Sequence, residues 1–328
     1  LVLPRPFKDY FKHAEACDDK KGFPMNVSNI FLYHRLFFVC IALAVLVLEP
    51  SISPSLKGLE LFFAFVLFFG LGIPHGALDL TLGRFLLKPK LGLFWWVAFL
   101  MAYLTCVGFI VTLWILYPLP CFLFFLLISV FHFGSSDTLD KTGLMRILEA
   151  IARGILPISA PAYWDPEDFQ KLVESSLSTA QASLVLQVAS TLYYPLCILL
   201  LTLIIQGLFG KDRYSFWNSL ELTSILLLFT FLTPLKAFLI YFCFLHAIRH
   251  LITVMEDMKL PFKFASVWWI FLQAMPSTIF TLIALGFCYF YMREGAVDTK
   301  RMMNLFFVSL ASLTFPHTLL VETVKYTR

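Results

Sequence analysis

Charge is what this sequence has least of. Of its 328 residues only 14% are charged, against 59% hydrophobic, and the mean hydropathy is +0.82. Soluble domains carry about a quarter charged residues, so this composition excludes an ordinary soluble fold. The net charge of +4 is small and spread over loops, and no Lys/Arg cluster forms a groove-binding patch, which excludes nucleic acid as a partner. No disulfide framework is visible either. Cys40, Cys106, Cys121, Cys197, Cys243 and Cys288 fall inside or at the ends of apolar runs, where thiols act as small buried hydrophobes. The period-two alternation of an outer-membrane barrel is missing. Residues 1–29 are polar with charges throughout, so no cleavable signal peptide is expected before the first apolar run.

What the sequence has in abundance is long apolar runs. Runs at 30–48, 59–82, 92–116, 182–208, 264–291 and 302–321 approach or exceed the ~20 residues that cross a bilayer as a helix. Backbone groups in lipid must be satisfied internally, so these runs are read as helices. The expected fold is all-α: a polytopic transmembrane helical bundle with its functional site between helices. Spans are expected at 30–48, 59–82, 92–116, 119–134, 182–208, 234–257, 264–291 and 301–321, as one transmembrane domain over 30–328 behind a polar tail, 1–29. Two segments are ambiguous. Residues 144–160 carry Arg146, Glu149 and Arg153 on one helical stripe, which suits an interfacial helix or a span whose polar face looks inward. Residues 219–233 are short and end at Pro234. The count is therefore eight to ten.

Basic residues follow the second, fifth and sixth of these spans and close the chain, while 161–181 is net acidic, which places both termini in the cytoplasm. The 292–300 loop, with Arg293 and Lys300, is the exception to that rule.

Five of seven histidines lie in spans: His75, His132, His246, His250 and His317. Ionisable groups at membrane depth are expensive and mark function by default. Under this topology each sits near the cytoplasmic end of a span running inward, so four spans place imidazoles in one layer. That holds only if both ambiguous segments cross or neither does. His34 is expected at the interface and His13 in the tail.

The local motifs agree. His246-Ala-Ile-Arg-His250 sets two imidazoles four residues apart on one helical face, the spacing by which a helix chelates a metal. Gly72-Ile-Pro74-His75 brings helix-breaking residues to membrane depth, where bent backbone lines a site. Phe131-His132-Phe-Gly134 and Phe315-Pro316-His317 repeat the pattern. Asp79, four residues after His75, and Asp137, five after His132, are candidates to accept the second ring N–H of a bound imidazole. Their plainer role is as helix-end carboxylates facing water; a lone intramembrane histidine likewise more often bonds a hydroxyl or carbonyl than a metal, though for His317 the two roles stand level. Arg249 either offsets a nearby carboxylate or snorkels to the interface. Imidazoles suit Zn, Cu, Fe and Ni, and no sulfur ligand accompanies them. With Fe(II), which favours six ligands, four histidines would leave two positions for O2 or substrate.

GIPHGALD (72–79), FHFGSSD (131–137), HAIRH (246–250) and FPH (315–317), on a chain of apolar spans, resemble the Brp/Blh family of bacterial and archaeal β-carotene 15,15′-dioxygenases. The resemblance covers roughly residues 30–322. It implies an Fe(II) enzyme of the plasma membrane that cleaves the central double bond of β-carotene with O2 to give two retinals, with an opsin-type protein as a downstream retinal acceptor. It also implies His75, His132, His246 and His250 as metal ligands and His317 as a fifth ligand or outer partner. A neutral substrate dissolved in the bilayer suits an intramembrane site, and 37 Phe, 12 Tyr and 7 Trp suffice to line one.

Three other classes fit less well. A two-iron desaturase needs about twice as many histidines, in boxes this chain lacks. An ion or proton transporter would use the same His/Asp cluster, but no clear inverted repeat is present. A retinal photoreceptor needs a mid-membrane lysine, whereas Lys57 and Lys236 lie at span ends.

Overall fold

The computed structural model describes residues 27–49, 66–139, 142–210, 213–291 and 299–327. The tail with His13, the start of the 59–82 run, Lys57 and most of the 292–300 loop lie outside these residues. Every regular element among the described residues is helical: α1 (Val27–Leu48), α2 (Ile73–Ala77), α3 (Asp79–Leu91), α4 (Trp95–Leu116), α5 (Pro118–Asp137), α6 (Gly143–Trp164), α7 (Pro166–Glu174), α8 (Thr179–Phe209), α9 (Arg213–Phe231), α10 (Pro234–Ile240), α11 (Ile248–Asp257), α12 (Phe264–Tyr291) and α13 (Thr299–Tyr326). Two π-helical segments, Phe68–Gly72 before α2 and Tyr241–Ala247 between α10 and α11, complete the longer rods.

Seven helical stretches among the described residues are long and apolar enough to cross a membrane, fewer than the eight to ten expected. Part of the difference is local. Gly70–Leu116 forms one helical stretch of 47 residues, where two spans were expected. Gly92 sits in its middle at φ 56°, a conformation glycine adopts without a Cβ penalty. The chain doubles back there: Asp79 meets Tyr103 and Gly83 meets Phe99. The rest of the difference lies in the two ambiguous segments, α6 and α9, whose polar residues keep them outside the apolar class.

Both segments nevertheless form full-length rods. Gly134 of α5 packs on the backbone of Ala150, and Gly154 of α6 packs on the backbone of Val130, so α6 runs back along α5. Small residues permit this close approach between membrane helices. Gly207 of α8 likewise meets Ser215 and Ser219 of α9. Farther on, Glu221 meets Arg249 and Phe229 meets Tyr241, so α9 and the α10–α11 rod are antiparallel. The polar stripe of α6 faces inward: Glu149 and Arg153 are buried, while Arg146 is exposed.

This alternation has one consequence for the histidines. The rod through α2 and α3 runs parallel to α13, with Phe68 beside Phe306 and His75 beside His317. Helix α5 also parallels α13, with Phe122 beside Phe307 and His132 beside His317. The α10–α11 rod matches them, with Phe242 beside Phe68 and His250 beside His75. Four parallel rods carry the five histidines at one level.

Candidate metal centre

Local backbone geometry aims the imidazoles. Pro74 has no N–H to donate to the preceding turn, and the chain widens into the π-helical segment Phe68–Gly72 immediately before His75. A second π segment, Tyr241–Ala247, carries His246 and returns to α-helix before His250. The HxxxH pair therefore spans a π-to-α junction, where a single regular helix was expected. Such wide turns recur at functional sites. His34 caps the second one. Its Nε2 lies 2.9 Å from the carbonyl oxygen of Phe244, and the side chain is buried where an interfacial position was expected. A buried carbonyl near a widened turn is a ready acceptor for that N–H.

His75, His132, His246, His250 and His317 are all buried and pack ring against ring. His75 stands at the centre, its ring centroid 4.7 Å from those of His250 and His317 and 5.0 Å from that of His246. His132 lies 4.9 Å from both His246 and His317. One nitrogen from each of His75, His250 and His317 falls within 4.8 Å of the others, and the same holds for His75, His132 and His246. The two trios share His75.

The second ring nitrogens show which atoms are left for a ligand. His317 Nδ1–H donates to Asp79 Oδ1 at 2.6 Å, and His246 Nδ1–H donates to Asp137 Oδ1 at 3.2 Å. Each carboxylate also accepts a tyrosine hydroxyl: Tyr103 on Asp79 Oδ2 at 2.8 Å, and Tyr241 on Asp137 Oδ2 at 2.6 Å. Both aspartates thus serve histidines, but not the ones nearest in sequence. Asp79 follows His75 yet holds His317; Asp137 follows His132 yet holds His246. The reason is helical geometry: a side chain four or five residues on is a turn away along the same rod, whereas a neighbouring rod offers an imidazole at the same level.

With their Nδ1 atoms anchored, the Nε2 lone pairs of His246 and His317 point inward. His317 Nε2, His75 Nε2 and His250 Nε2 are buried and have no hydrogen-bond partner among the described residues. His132 Nε2 and His246 Nε2 approach to 3.1 Å. Orphaned buried ring nitrogens of this kind are costly unless something satisfies them. A divalent cation fits the donor set: converging neutral imidazoles, two of them backed by carboxylates. It also fits the charge. Among the described residues the buried formal charges are Arg35, Arg153 and Arg249 against Asp79, Asp137, Glu149 and Glu221, an excess of one negative.

Aromatic rings wall one side of the cluster. Phe242 stacks on His246 with centroids 5.6 Å apart and meets His75 edge-on at 5.4 Å. Phe133 meets His246 edge-on at 4.8 Å, and Phe238 stacks on Phe242 at 5.4 Å. On another side Ser135 and Lys325 both reach Glu322, at 2.9 and 2.6 Å.

Tyr103, Tyr241, Arg35 and Glu221 were not singled out from the sequence. Glu221 offered the best signal, as an acidic residue inside an otherwise apolar segment.

The family pattern of β-carotene 15,15′-dioxygenase matches residues 64–325, which include all five histidines and both aspartates. The chain belongs to the β-carotene 15,15′-dioxygenase family. Two curated relatives are similar over most of their length. One, from an uncultured marine bacterium (66A03), is named beta-carotene 15,15′-dioxygenase; it is 24% identical over 261 residues, covering 77% of this chain and 90% of the relative. The other, from Halobacterium salinarum, is named probable beta-carotene 15,15′-dioxygenase Blh; it is 24% identical over 315 residues, covering 87% of this chain and 90% of the relative. No solved structure matches the chain.

The Asp79 pairing yields a direct test. In this family member, Asp79→Asn keeps the side-chain shape but removes the charge that holds His317 Nδ1–H. Metal affinity should fall roughly 10- to 100-fold, measured by metal titration of the purified protein. An unchanged affinity would remove His317 from the centre.

Proposed function

We propose that this protein is an Fe(II)-dependent membrane dioxygenase that cleaves the central 15,15′ double bond of β-carotene. The observation that carries the reading is the convergence of buried imidazoles from four parallel rods, three of them with an unpartnered Nε2, in a chain of this family. His75, His132, His246 and His250 would hold the iron. His317, anchored by Asp79, supplies a fifth imidazole, and residues 30–328 act as one catalytic domain.

The reaction breaks one carbon–carbon double bond and forms two carbon–oxygen double bonds. One β-carotene and one O2 give two retinals, with no proton gained or lost. Bound Fe(II) supplies the redox-active site that lets O2 react with a closed-shell hydrocarbon. The protein's own groups do the rest. Asp79 and Asp137 fix the tautomers of His317 and His246, so both present Nε2 lone pairs. Tyr103 and Tyr241 keep those carboxylates in place. Phe133 and Phe242 give the polyene an apolar, water-excluding wall beside the imidazoles. No side chain is needed as a general acid or base, because no proton moves. A substrate dissolved in the bilayer reaches such a centre without crossing water, and the product can pass to an opsin-type protein in the same membrane.

The topology in this reading has ten passes, with α6 and α9 crossing as well and both termini on the cytoplasmic side of the plasma membrane. Antiparallel packing of α5 on α6 and of α8 on α9 supports it. In a cysteine-free background, Glu167→Cys in α7 should label with an impermeant reagent from outside, and Phe209→Cys at the end of α8 only from the cytoplasm. Labelling of both from one face would contradict ten passes.

Activity is tested by expression in bacteria that accumulate β-carotene. Loss of orange colour and appearance of retinal by chromatography are expected, and alanine at His75, His132, His246 or His250 should abolish both. Retained turnover in the His246→Ala variant would sink the ligand assignment.

A further inference from the structure

Behind the histidines lies a second buried polar assembly that the reaction itself does not use. Glu221, in the middle of α9, is fully buried and meets three arginines from three other rods. Its Oε1 accepts from Arg153 Nη1 at 2.6 Å, and its Oε2 accepts from Arg249 Nη2 at 2.6 Å and faces Arg35 Nε at 3.4 Å. Arg153 is also held by Glu149 at 2.8 Å and by Asn218 at 2.6 Å. Arg249 is not so supported. Its other bond, from Nη1, runs 2.9 Å to the backbone oxygen of Asp137.

That carbonyl belongs to the last residue of helix α5, where the final carbonyls lack intrahelical N–H donors and a cation is favoured. Arg249 therefore clamps the residue whose side chain holds His246. Arg249 also lies between His246 and His250 in sequence, so the clamp joins two histidine-bearing rods, α5 and α11. A buried ion assembly is an expensive way to stabilise a bundle, since apolar residues of similar volume serve as well or better. Its presence asks for a role other than stability.

We propose that Glu221 is a positioning residue for the metal centre: by orienting Arg249 it locks the end of α5 and, through Asp137, the aim of His246. The inference rests on the metal-centre reading above. It concerns the geometry and affinity of the centre, and Glu221 touches neither metal nor substrate.

The test uses the full-length protein in detergent, with Co(II) as the probe, because its visible d–d bands report ligand number and geometry. The double variant Glu221→Leu/Arg35→Met removes one charge of each sign, leaves Arg153 on Glu149 and Asn218, and strips Arg249 of its carboxylate. It should remain folded and monodisperse with a lowered Tm, and it should bind Co(II) roughly 10- to 100-fold more weakly and with altered d–d bands. A folded double variant with wild-type affinity and spectrum would overturn the proposal, since a purely structural role predicts that outcome. If the double variant does not accumulate, Glu221→Gln keeps the side-chain volume. The same weakening is expected there, and an unchanged affinity and spectrum would overturn the proposal equally. Wild-type protein that takes up neither Co(II) nor Fe(II) would refute the metal-centre reading itself, and this inference with it.

Discussion

Five imidazoles packed ring to ring inside an apolar bundle are tolerable only if their nitrogens are satisfied, and much of the surrounding structure follows from that requirement. Two of the rings give their Nδ1–H to buried aspartates, and each aspartate is completed by a tyrosine. One of those aspartates lies at a helix end that an arginine must hold, and the arginine needs a carboxylate of its own. The chain of obligations runs from the centre outward through α5, α11, α9 and α6. Among the unpartnered ring nitrogens are Nε2 of His75, His250 and His317, the places where a cation would complete the set.

Topology makes the convergence achievable. Histidines spread from position 75 to position 317 reach one level because four rods run in the same direction. That direction is preserved because α6 and α9 both reverse the chain. Either segment alone would have put half the cluster at the opposite end of the bundle. The polar character of these two rods has the same origin as the site. Glu149, Arg153, Asn218 and Glu221 lower their apolarity because they face inward and serve the buried network.

The sequence was most legible where one physical rule acted alone. Apolar runs gave the helices, because lipid leaves the backbone no alternative. Intramembrane histidines pointed to a candidate site, because an ionisable group at that depth needs a purpose, and the fold brings five of them together at one level. Legibility failed where partners come from different rods. Asp79 and Asp137 were recognised as carboxylates that could orient imidazoles, but sequence spacing could not reveal that each serves a histidine on another rod. The π turns at Phe68–Gly72 and Tyr241–Ala247 left no clear local signature beyond Pro74 in the first case. Arg35 reads as a charge near a span end, and only packing beside Glu221 turns it into part of the interior. The burial of His34 was hidden for the same reason: its partner is a carbonyl 210 residues away.

The central claim is that these histidines form one metal centre rather than a set of separately bonded rings. X-ray absorption on Fe(II)-loaded protein examines it most directly. One iron per chain is expected, with a shell of nitrogen and oxygen only and outer-shell scattering from four or five imidazoles. A sulfur ligand, a second iron nearby, or scattering from no more than two imidazoles would contradict it.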